Sequence, residues 1–161
     1  MKSVINYIMI AILAINFLPV FVCASAWDED FVAITLGNIS SRGQIQEGSQ
    51  SVILYVTEDS TISANNNTAA QLSGATDTLV TEYKLTFDDT GGTTGIDTGQ
   101  DGGNEWQPYD VFLTTGAEGN VTYAIGDGEV VVTLYARARN KSDNVADPGA
   151  YSAIQTLTVS W

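Results

Sequence analysis

The 161-residue chain contains no histidine, and its single cysteine, Cys23, falls within the first 26 residues. Ser-His-Asp and Cys-His nucleophile systems are therefore excluded, as are zinc and copper sites built on imidazole or thiolate. Beyond Cys23 no disulfide can form, so stability has to come from a packed core and backbone ladders. Basic residues are scarce: six Lys and Arg stand against 19 Asp and Glu, a net charge of −13. Such a chain repels nucleic acid and anionic membrane, whose recognition rests on Lys and Arg. Both partner classes are set aside, and the acidity is read as solubility. After residue 26 no segment sustains apolar residues at helical spacing, so essentially no helix is expected. No glycine-rich loop follows a strand and opens a helix, which leaves phosphate and dinucleotide cradles without their context. Carboxylates are plentiful, but no spacing singles out a pair for glycoside hydrolysis. The chain is read as a non-enzyme that needs no cofactor.

What is present begins with a leader. Lys2 is the only charge before Asp28, and residues 5–22 are almost continuously apolar. Ala24-Ser25-Ala26 then supplies small residues at the positions a signal peptidase reads, so residues 1–26 are expected to be a cleaved secretory signal peptide. An uncleaved membrane anchor is the alternative; Pro19 and the small residues favour removal. A lipid anchor on Cys23 wants a small residue just ahead of it, where Val22 and Phe21 stand instead. Removal of 26 residues leaves 135, one domain's worth. The remaining charge is −14, because Lys2 departs and five basic residues face all 19 acidic ones. The expected compartment is outside the cytoplasm, secreted or held in the periplasm or at the cell surface, with no membrane insertion after cleavage.

The rest of the chain alternates. In residues 129–139, Val130, Val132, Leu134, Ala136 and Ala138 alternate with Val131, Thr133, Tyr135, Arg137 and Arg139, the period of a strand with one buried face. Residues 151–161 place Tyr151, Ala153, Leu157, Val159 and Trp161 on one face, and that strand is expected to lie deep in a sheet. Residues 79–87 put Leu79, Tyr83, Leu85 and Phe87 opposite Glu82 and Lys84, and residues 51–57 form a β-prone run. Short strands are also read at 109–114 and 120–125, with a tight turn at Gly126-Asp127-Gly128. Residues 58–77 are read mostly as loop, with room for a short edge strand near Ile62. Seven or eight such strands make an all-β, immunoglobulin-like sandwich of about seven strands. The division is a leader at 1–26, an N-terminal strand segment at 27–40 and a sandwich domain at 41–161.

Two loops invite functional readings. Residues 88–107 are rich in Gly and Asp, and Asp97, Asp101 and Glu105, with Asp88 and Asp89, offer oxygen ligands suited to calcium. The EF-hand pattern fails, since Gly99 replaces the third ligand and Pro108 stands where the last Glu belongs; the loop is read as solvated, with calcium as the alternative. At its edge Trp106 and Tyr109 either cap the core or form a sugar-binding platform, the former preferred. Sequons occur at Asn38, Asn66, Asn120 and Asn140 and matter only if the export route glycosylates asparagine.

The C-terminal residues Pro148-Gly149-Ala150-Tyr151-Ser152, followed by Thr156-Leu157-Thr158-Val159-Ser160-Trp161, resemble the ending of bacterial pilus subunits. They are most similar to the spore coat protein U and archaic chaperone–usher pilin group, and residues 132–137 stand where that group has its penultimate strand. The similarity covers about the last 30 residues. The chain departs from the group in having no cysteine past its leader and no N-terminal Phe-Gly signature. The resemblance implies an incomplete sandwich, a surface filament built as a homopolymer, and a periplasmic chaperone that fills the groove first. The donor strand would come from residues 27–39, with Val32, Ile34 and Leu36 as the groove-filling side chains, Phe31 alternating with them, and Gly37 permitting close approach. Equally, residues 31–39 read as the first strand of their own sandwich, with both faces apolar. A monomeric adhesion or carbohydrate-binding module using Trp106 and Tyr109 is the alternative function.

Overall fold

The computed structural model describes residues 25–90, 92–97, 105–125 and 128–161. Nine strands follow in order: β1 (Ala26–Trp27), β2 (Ile45–Tyr55), β3 (Ser60–Ala64), β4 (Val80–Asp89), β5 (Thr94–Asp97), β6 (Gln107–Pro108), β7 (Gly119–Thr122), β8 (Glu129–Arg139) and β9 (Leu157–Ser160). Seven of them have four residues or more, which is the expected sandwich. They form two antiparallel sheets, β1-β2-β8-β4-β6 and β5-β7-β3-β9. Among the described residues the one helical piece is a 3-10 turn at Thr68–Ala70, started by the Asn67 side chain accepting from the Ala69 N–H.

β8 is the spine. Its even-numbered residues are buried without exception and its odd-numbered ones half-buried, as period-2 alternation dictates. β2 pairs with it along eleven residues and β4 along ten, so the expected strand at 79–87 is confirmed beside the centre. The inward faces of both sheets meet in one core built on Leu54, Ile62, Leu85, Phe112, Val121, Val130 and Val132. Tyr83 closes its lower part: the ring lies 5.6 Å from that of Phe112, and the hydroxyl donates to the Ala70 carbonyl at 2.7 Å. Burial pushes the Tyr83 pKa up to about 12, because the phenolate would lose its hydration.

Four expectations are corrected. Residues 31–39 are extended but belong to no ladder. Residues 109–114 are a turn, not a strand: the Val111 and Phe112 N–H groups donate back to the Pro108 carbonyl, and Leu113 takes a positive φ of 49°. That curl drives Phe112 and Leu113 fully into the core. β3 is an internal strand between β7 and β9, not an edge. β9 is the edge, so the C-terminal strand does not lie deep in its sheet. The turn at Gly126-Asp127-Gly128 lies largely outside the described residues, though Gly128 keeps a φ of +82° where its Cβ would strike the Val56 carbonyl.

The boundary expected at residue 26 meets the fold. Ser25 is 1 % exposed, and its hydroxyl accepts from Ser60 Oγ at 2.7 Å and from the Thr57 N–H at 3.3 Å. Ala26 and Trp27 pair with Tyr55 and Leu54. No helix among the described residues is long and apolar enough to cross a membrane.

Candidate functional site

Strand order locates the site. In immunoglobulin lettering, β1-β2-β8-β4 reproduces the A-B-E-D sheet and β3-β9 the C-F pair. Here β9 pairs with β3 alone, and among the described residues no strand occupies its other side. The run from 151 to 160 alternates half-buried and exposed, so Tyr151, Ala153, Gln155, Leu157 and Val159 point inward. None of them reaches full burial, whereas every inward residue of β8 does. Among the described residues this flank of the sandwich carries no further strand.

Residues 31–40 lie along that flank. Phe31 and Ile34 pack against the core, and the Trp27 ring meets Phe31 edge-on at 5.6 Å. Farther along, Ile34, Thr35 and Leu36 press on Gly48 of β2. A Cβ there would sit 2.8 Å from Ile34 Cγ2 and 3.2 Å from the Thr35 carbonyl oxygen, so β2 gives the segment its seat by omitting a side chain. Two clefts remain beside it. One of about 410 Å³ runs between residues 31–36 and residues 151–155 over Tyr83, Leu134 and Ala136. The other, about 760 Å³, opens between residues 34–40 and residues 145–151. The groove is larger than what occupies it.

Of the expected groove-filling residues, Ile34 and Leu36 face the sandwich and Val32 does not, being 64 % exposed. Phe31 takes the inward place instead. The in-out alternation slips between Phe31 and Ile34, which the absence of a ladder allows. Gly37 does mark a close approach: its missing Cβ would lie 2.7 Å from Gln46 Oε1. Gly48, Leu72 and the 151–155 wall escaped sequence reasoning; a glycine inside an alternating strand was the available signal for the first.

The second candidate is divided by the sheet. Trp106 lies on the outer face, where Lys84 Nζ stands 5.2 Å from its ring centroid and Arg137 Cζ 4.5 Å. Lys84 also sits 4.4 Å from the Tyr135 ring, and Arg137 Nε donates to Glu82 Oε2 at 2.9 Å. Tyr109 packs against the core on the opposite side. Trp106 and Tyr109 therefore share no platform, and the indole is covered by the chain's own cations. Of the calcium alternative, Asp101 and the Asp97 side chain lie outside the described residues, and Glu105 is exposed. Asp89 is engaged as a turn acceptor for the Gly92 and Thr93 N–H groups. Among the sequons, Asn140 is 2 % exposed and bonded to Ser41 and Ala146, which closes it to modification in the folded state.

Comparison with protein-family models, with characterised proteins and with solved structures finds no match to this chain.

Proposed function

We propose that the protein is a secreted structural subunit of a surface filament, assembling when residues 31–39 of one copy enter the open flank of the next. The observation that carries this reading is the edge of β9, which has no second partner strand among the described residues, together with a segment that lies across a cleft from residues 151–155 and yet forms no ladder. An open edge offers a row of N–H and C=O groups, and a strand added there satisfies them while its alternate side chains fill the groove. In cis the segment contributes packing but none of those backbone bonds. In trans it supplies both. Burying Phe31, Ile34 and Leu36 contributes about 1.5–3 kcal/mol each, before ordering costs. A periplasmic chaperone that caps the same edge before assembly is part of this reading. The rival, a monomeric sugar-binding module, draws no support from Trp106, whose ring already carries two cations.

The test is the mass distribution of the full exported chain against the variant I34D/L36D. Wild type is expected to form linear polymers on prolonged incubation, and the variant to stay monomeric. Wild type that remains monomeric at every concentration overturns the reading.

A further inference from the structure

Resting on the strand-donation reading, a latch governs when the segment leaves its own subunit. The segment lacks ladder bonds, but its C-terminal end is clipped by two side chains. Gln44 Oε1 accepts from the Ser40 N–H at 2.8 Å and from Ser40 Oγ at 3.0 Å, while its Nε2 donates to the Asn38 carbonyl at 2.8 Å. Gln46 Nε2 donates to the same carbonyl at 3.1 Å. The Gln44 N–H closes the loop on the Ser41 carbonyl. One amide thus satisfies a donor and an acceptor of the segment's backbone, imitating on a small scale the strand that would otherwise lie there.

We infer that Gln44 and Gln46 form an autoinhibitory latch that holds residues 31–39 in the subunit's own groove and slows exchange with a second copy. The geometry argues for this in three ways. The clip holds residues 38 and 40, immediately after the apolar residues that fill the groove, so releasing it frees the segment's C-terminal end, while β1 still holds the other end on β2. Gln46 is anchored in β2 opposite Ala138, which makes it a fixed post, not another mobile loop residue. Gly37 carries no side chain where one would press on the Gln46 amide, so the segment can approach its post closely. For donation to a neighbour, residues 38–44 must straighten, and every bond of the clip must break. The bonds are exposed to water, which keeps the barrier modest and the latch reversible.

The test uses the full exported chain and a fluorescent peptide of residues 31–39, following the rate at which the peptide is captured. Q44A/Q46A is expected to capture it roughly tenfold faster than wild type, in keeping with the loss of a few solvent-exposed hydrogen bonds. Q44E keeps the acceptor for Ser40 and the side-chain size but sets a carboxylate against the Asn38 carbonyl. It is expected to accelerate capture as well, and it guards against a double variant that folds poorly. Equal rates for wild type and both variants overturn the latch and leave strand donation standing. Capture by none of the three overturns strand donation itself, and the latch with it.

Discussion

Gly48 sets how closely residues 34–36 can lie on β2, and a side chain there has nowhere to go. Replacing it with Val would push against Ile34 and the Thr35 carbonyl, both inside normal contact distance of the missing Cβ. G48V is expected to cost about 1–3 kcal/mol, the usual range for overpacking, read by denaturant unfolding. Unchanged stability would mean the segment contributes no packing. Tyr83 is the other residue on which the groove floor depends. Its folded pKa lies near 12 against an ordinary value of 10, so the unfolded chain releases this proton first as pH rises. The stability it contributes is fully present below pH 10 and is lost as pH climbs through 12. Stability curves of wild type and Y83F should converge across that window. The comparison separates Tyr83 from Tyr55, raised chiefly by the charge of Asp28, and Tyr151, raised chiefly by desolvation.

Among the elements, β1 bears on where the leader is cut. Cleavage after Ala26 would remove Ser25, the hydrogen-bond partner of Ser60 and Thr57, and half of the β1 pairing. A cut after Ala24 would keep a small residue directly ahead of the cleavage point, with Val22 two positions before it. The exported protein is therefore expected to begin at Ser25 on N-terminal sequencing, and a start at Trp27 would contradict this. β4 and β8 were legible because their alternation reports a local fact, burial of one face, that each residue carries by itself; β2, expected only from residue 51, begins at Ile45, because the polar residues of 45–50 read as linker. β8 spans residues 129–139, the limits its pattern suggested. Residues 31–39 alternate too, but pairing depends on a partner edge that the sequence of the segment does not encode. Residues 109–114 misled for a related reason: an apolar run reads alike whether it is a strand or a turn that plugs a core, and Leu113 at positive φ decides for the turn. β9 carries a strand's pattern on both interpretations, interior and edge. Its position came only from knowing that β3 is its one neighbour.

For the whole molecule, charge is the quantity that assembly must contend with. On the proposed reading each copy, without residues 1–26, carries five basic against 19 acidic residues, a charge of −14, so copies would repel one another along a filament. Salt screens that repulsion, with a Debye length of about 8 Å at physiological ionic strength and about 3 Å at 1 M. Polymerisation is accordingly expected to speed up with added salt, followed by light scattering, whereas contacts held by ion pairs would weaken. The proposed function reduces to one claim: the edge of β9 that carries no strand among the described residues accepts one from another copy. Amide hydrogen exchange of residues 151–161 tests it most directly, measured on the full exported chain with and without excess peptide covering residues 27–40. Slowed exchange along that edge in the presence of peptide is the expected result. Exchange that is the same with and without peptide would contradict the claim and leave the edge as an ordinary sheet border.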